Sequence, residues 1–113
     1  MTAVTLRCDA DSLDLCVRGH AGSCDKGPDP VCAAASMLVC ALMERLERLR
    51  DELCELHIGY ESGRCEISAR ADRDVCQRLF DSVEVAMCGF DLLAAAFPGS
   101  VTVCRGGVSC GEA

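Results

Sequence analysis

Along this chain the spacing of apolar residues switches back and forth between two and about 3.6, which leaves few folds open. Val4, Leu6 and Cys8 alternate with Thr5 and Arg7. Asp9 to Asp11 reads as a turn, and Leu13, Leu15 and Val17 then alternate with Ser12, Asp14 and Arg18. That pattern predicts a strand hairpin. Val31, Ala35, Leu38, Val39, Leu42, Leu46 and Leu49 recur at helical spacing, with Glu44, Arg45, Glu47 and Arg48 on the other side. They predict a helix of about 18 to 20 residues. Leu56, Ile58 and Tyr60 return to alternation, Glu61 to Gly63 makes a turn, and Cys65, Ile67 and Ala69 form the returning strand. A second helix is expected from about Arg73 to Phe97. Its apolar face is Val75, Leu79, Val83, Met87, Phe90, Leu93, Ala94 and Phe97, and Phe97-Pro98-Gly99 stops it. Val101, Val103 and Arg105 make a last strand, and residues 106–113 read as a frayed tail.

The predicted order is therefore ββαββαβ. Elements that are apolar on one side only suit an α+β two-layer sandwich, with two helices packed on one face of a mostly antiparallel five-stranded sheet. The chain has 113 residues, of which 50% are hydrophobic, with neither a repeat nor a linker. One domain spanning 1–113 is expected.

Charge narrows the function classes. Lys and Arg number 11 against 18 Asp and Glu, a formal charge of -7. Such a surface disfavours phosphate, and no basic stripe with interleaved aromatics is present, so no nucleic-acid partner is expected. MTAVTLRC lacks the basic start and apolar run of a secretory signal, and the apolar stretch from Val31 to Met43 is too short to span a bilayer. The expectation is a cytoplasmic chain with no membrane partner.

Cysteine is the unusual component: 11 residues, at positions 8, 16, 24, 32, 40, 54, 65, 76, 88, 104 and 110. No CxxC pair occurs, and the two histidines, His20 and His57, are not spaced like the ends of a zinc finger. Neither a metal site nor a cofactor is expected. An odd number without a signal argues against a disulfide framework. Most of these cysteines sit where a Val or Ala would serve, as small hydrophobes.

Cys32 is the exception. It follows the loop-forming stretch GHAGSCDKGPDP, in which Asp29 reads as an N-cap and Pro30 as the first helical residue, placing Cys32 in the first turn. Aligned peptide dipoles and unsatisfied amides there favour an anion, and a neighbouring imidazolium would favour it further. The Asp29 carboxylate opposes both. His20 stands where the second strand exits, so the loop can bring it to the helix start. A Cys–His pair is the arrangement that activates a thiol for covalent catalysis. Cys24, in the same loop, is the competing thiol, and His57 reads as structural.

The stretch V-R-G-H-A followed by G-x-D-x-V-C-A-A-x-S resembles the signature of the ribosomal-processing cysteine protease family, Prp. The match covers Gly19, His20 and Ala21, then Gly27, Asp29, Val31, Cys32, Ala33, Ala34 and Ser36. Pro30 stands where the family often has an aliphatic residue, and Cys24 where an aromatic is common. The resemblance implies a cysteine endopeptidase with Cys32 as nucleophile and His20 as base. It further implies a homodimer, and a precursor of large-subunit ribosomal protein twenty-seven as the substrate, trimmed after an aromatic residue. On this reading Asp29 caps the helix, Ser36 supports the site one turn on, and Gly22 and Gly27 let the loop open and close. Amides around Cys32 supply the oxyanion hole. A non-catalytic ribosome-associated or adaptor module of the same fold is the alternative, and a cysteine-rich metal or redox protein a more distant one.

Overall fold

The computed structural model describes residues 1–19, 29–61 and 63–107. Within them the order is β1 (Thr2–Cys8), β2 (Ser12–Arg18), α1 (Pro30–Leu49), β3 (Glu55–Glu61), β4 (Arg64–Arg70), α2 (Arg73–Ala96) and β5 (Val101–Gly107), the ββαββαβ arrangement expected. The strands form one sheet in the order β3-β4-β2-β1-β5. β1–β2, β2–β4 and β3–β4 pair antiparallel, and β1–β5 pairs parallel.

Alternation decides which face each strand buries. Val4, Leu6, Leu13, Leu15, Val17, Cys65, Ile67 and Ala69 are buried. They pack with Val39, Leu42 and Leu46 of α1 and Leu79, Val83, Met87 and Phe90 of α2 in one cluster. Their strand neighbours, such as Thr5, Arg7, Asp14 and Glu66, are exposed on the opposite face. Such half-solvated sheets are a common antiparallel solution. Where α1 meets α2, a Cβ on Gly89 would lie 2.6 Å from Leu38 Cδ2, so the glycine lets the helices approach.

Three differences from the sequence reading have physical causes. β5 runs through Gly107, two residues into the stretch read as tail, because Arg7 and Cys8 of β1 offer Gly106 and Gly107 ladder partners. Residues 108–113 lie outside the described set. Arg50–Glu52 forms a short 3-10 turn after α1, a charged triplet without periodicity. The end of α2 outruns the core: Phe97 is 44% exposed, and Leu93 and Ala94 are only partly covered.

The cysteines need a larger correction. Of nine described, only Cys8 and Cys65 are buried; Cys16, Cys32 and Cys76 are half-buried, and Cys40, Cys54, Cys88 and Cys104 are exposed. Most therefore do not serve as core hydrophobes. Cys40 and Cys88 lie on helix faces and Cys104 on a strand face that point to solvent, and Cys54 lies in the bend before β3.

Candidate active site

α1 begins as its sequence dictates. Asp29 has extended backbone, with φ -108 and ψ 113, and its carboxylate accepts from the amides of Val31 and Cys32, while Pro30 occupies the first helical position. Proline contributes no N–H to satisfy there. Cys32 accordingly sits in the first turn, half-buried.

The contacts at this turn are unusually concentrated. Asp29 Oδ1 accepts from Val31 N at 2.9 Å and from Cys32 N at 3.4 Å. Asp29 Oδ2 accepts from Cys32 Sγ at 3.4 Å, and the main-chain oxygen of Asp29 accepts from Ala33 N at 2.9 Å. The carboxyl of Asp29 is held below the usual carboxylate range, first by the thiol hydrogen bond of Cys32, then by the Val31 and Cys32 amides. The α-amine at the N-terminus acts on it in the same direction.

Cys32 opens onto a pocket at one end of the sheet. Its walls include Val17 and Gly19 from the exit of β2, Ala35, Ser36 and Val39 from α1, and Tyr60, Glu61, Gly63, Arg64 and Cys65 from the β3–β4 hairpin. The floor is apolar because Cys65 and Val17 are register partners on the core side of β4 and β2. Tyr60 continues that row as the partner of Cys65, yet it is 57% exposed. Burial pushes the Cys65 thiol up to about 11, so it is neutral at physiological pH and contributes shape, not charge. Arg64 is committed to Glu66 on its own strand.

Two glycines set the base of the pocket. Gly19 N donates to Gly63 O at 2.9 Å, tying the exit of β2 to the hairpin turn. Gly63 has φ 79, the left-handed region where glycine carries no side-chain penalty.

Of the residues singled out in the sequence, Asp29, Cys32 and Ser36 stand together, Ser36 one turn beyond Cys32 on the pocket wall. His20, Gly22, Cys24 and Gly27 lie outside the described residues. His57 is exposed on β3 and is not among the residues that line the pocket. The sequence places Tyr60 and Cys65 only as strand residues and singles out no role for Arg64; the structure adds all three to the pocket. Their signal was faint: the chain's single tyrosine occupies a core-facing position at a strand end. Among the described residues no group of three or more His, Cys, Asp or Glu side chains is placed to hold a metal ion, and no helix is long and apolar enough to cross a membrane.

Residues 1–101 match the family model described as cysteine protease Prp. The protein SMU.848 from Streptococcus mutans is similar in structure, with a TM-score of 0.68 at 27% identity over 96% of each chain. The essential ribosomal processing protease Prp from S. aureus, with a covalently linked product peptide, superposes with a TM-score of 0.73 at 17% identity, covering 93% of this chain and 99% of that one. The same S. aureus protease with a substrate peptide gives 0.70 at 17% identity over the same shares. Among curated proteins there is no match.

Proposed function

This chain belongs to the Prp family of cysteine proteases, and we propose that it is a ribosomal-processing endopeptidase in which Cys32 is the nucleophile and His20 the base. The observation that carries the assignment is the placement of Cys32 in the first turn of a capped helix, opening onto an apolar pocket at the sheet end. His20 is supported by its place in the sequence, immediately after Gly19, which lines that same pocket.

The reaction follows from the groups. His20 removes the thiol proton, and the sulfur attacks the scissile carbonyl carbon, forming a C–S bond and a tetrahedral oxyanion. The C–N bond then breaks as His20 returns the proton to the leaving amine. Water, deprotonated by the same imidazole, hydrolyses the thioester and regenerates the thiol. The Cys32 amide is the nearest donor for the oxyanion. The substrate we assign is the N-terminal extension of a large-subunit ribosomal protein precursor, ribosomal protein twenty-seven, cut after an aromatic residue. The formal charge of -7 suits a basic ribosomal partner, and the apolar pocket walls suit an aromatic side chain.

We further assign a cytoplasmic homodimer. Its support is the outer face of the helices, where Met37, Val85 and Leu92 are exposed and where a groove of about 420 Å³ is lined by Leu38, Ala41, Leu42, Val85 and Ala86 together with Arg45, Arg78, Asp81 and Ser82. Exposed aliphatics beside a groove of mixed aliphatic and charged lining are the kind of surface that a partner covers.

Incubating reduced protein, its Cys32→Ala variant and its Cys24→Ala variant with the host's ribosomal protein twenty-seven, followed by mass spectrometry, tests this reading. Loss of an N-terminal segment with wild type and Cys24→Ala, but not with Cys32→Ala, is expected. An intact precursor in every tube would leave the adaptor reading, or another substrate, in its place.

A further inference from the structure

The first turn of α1 is unusual in what its donors do. Pro30 has no N–H, the Val31 and Cys32 amides end on Asp29 Oδ1, and the Ala33 amide ends on the Asp29 carbonyl. The Cys32 thiol ends on Asp29 Oδ2 at 3.4 Å. One residue therefore accepts hydrogen bonds both from the thiol and from the amide that an oxyanion at Cys32 would need.

Two consequences follow from charge. The thiol contact exists only while sulfur keeps its proton, since a thiolate at that distance would face a carboxylate of like sign. The Cys32 amide contact, at 3.4 Å, is longer than an ordinary N–H···O bond of about 2.7 to 3.2 Å. It is the weakest of the amide contacts and the amide most readily exchanged. The Val31 contact, at 2.9 Å, keeps the helix capped when the others are given up.

We propose that Asp29 is a positioning residue that holds Cys32 as a protonated thiol in the resting enzyme and surrenders the Cys32 amide and thiol when a scissile carbonyl arrives. The inference rests on Cys32 being the nucleophile. In the exchange the carbonyl oxygen replaces Asp29 Oδ1 on the Cys32 amide, and the base removes from sulfur the proton that had been directed at Asp29 Oδ2. No covalent bond changes at Asp29. The arrangement keeps the nucleophile unreactive until substrate is seated, in a chain with 11 cysteines. Among the described residues, the other charged or titratable groups facing this turn are the α-amine of Met1, Glu61 at the end of β3, and Arg64 and Cys65 at the start of β4. Arg64 is occupied by Glu66.

The test is the pH profile of Cys32 alkylation by iodoacetamide, read at the peptide level without substrate, in wild type, Asp29→Asn and Asp29→Ser. Both replacements are good N-caps and both are neutral. The midpoint is expected to fall by about one pH unit in each, with alkylation at neutral pH up to about tenfold faster. A midpoint that stays or rises in the folded variants overturns the proposal; a rise is what removing a carboxylate that steadies a cationic partner would give. Either variant suffices if the other fails to fold. Because no precursor is present, a shifted profile stands even if the ribosomal substrate proves wrong, and precursor trimming with an unshifted profile removes only this inference.

Discussion

The amide of Gly19 donates to the carbonyl of Gly63 at 2.9 Å, closing the end of the sheet onto which Cys32 opens. Neither position has room for a side chain at no cost. A Cβ on Gly19 would lie 2.7 Å from the Thr2 Cα and 2.8 Å from the Met1 carbonyl oxygen, both backbone atoms. Gly63 combines φ 79 with a Cβ position 3.2 Å from the Gly19 carbonyl oxygen. The glycine of the G-H-A stretch thus has a steric reason to be glycine, independent of any chemistry at His20.

Gly19→Ala is expected to destabilise the fold by about 1 to 3 kcal/mol, since the start of β1 must shift to admit the methyl group. Gly59→Ala is the control: nothing lies within 4 Å of its Cβ position on β3, and a change within about 0.5 kcal/mol is expected. Urea denaturation of the two variants checks the difference. Equal losses would remove the steric argument.

Alkaline stability depends on Cys65. Its thiol is raised from 9.0 to about 11 by burial, so the unfolded chain loses this proton first as pH rises. Stability is then complete below about pH 9 and falls between about 9 and 11, at up to ~1.4 kcal/mol per pH unit for one proton. Burial also raises Cys76, and a hydrogen bond to Asp72 raises Cys54. Replacing Cys65 with Val should therefore flatten the decline without abolishing it, as measured by denaturant midpoints from pH 8 to 11. An unchanged slope would show that the Cys65 thiol does not carry the decline.

Acid stability depends in part on Asp29. Its carboxyl is lowered by the Cys32 thiol and by the Val31 and Cys32 amides, so its contribution is present above the unfolded carboxylate value and is lost as pH falls through the lower folded one. Asp29→Asn keeps a cap but cannot titrate, and should show a shallower loss of thermal midpoint below about pH 4 than wild type. An equally steep acid limb in both proteins would contradict the assignment.

Val85 and Leu92, 73% and 72% exposed on the outer side of α2, are expected to carry the contact of the proposed homodimer. Val85→Lys with Leu92→Lys should give a monomer with an unchanged circular dichroism spectrum. Sedimentation velocity reads the outcome, and a dimer that survives both substitutions would move the contact to another surface.

Much of the layout was legible because each element has a single buried face. Leu13, Leu15 and Val17 could be placed by alternation alone, as could Val31, Ala35, Val39 and Leu42 by helical spacing. The cap at Asp29 and the position of Cys32 were equally legible, since a proline at the first helical position leaves little choice. Gly106 and Gly107 were not, because their strand depends on a parallel ladder to Arg7 and Cys8, far away in sequence. Nor was the second carboxylate oxygen of Asp29 on the Cys32 thiol, which depends on a rotamer and not on spacing. Tyr60 and Cys65 entered the site for a related reason: only the register of β3 on β4 and of β4 on β2 brings them to the pocket end. The exposed cysteines, Cys40, Cys54, Cys88 and Cys104, show that small apolar character alone did not report burial.

Cys32 as the nucleophile is tested most directly by trapping the covalent intermediate. Reduced protein is mixed with a precursor peptide, quenched in acid within the first turnover, and its intact mass and peptide map are read. A thioester on Cys32, adding the mass of the released extension less one water, is the expected result. Cleavage with the adduct on another cysteine, or undiminished cleavage by Cys32→Ala, would contradict it.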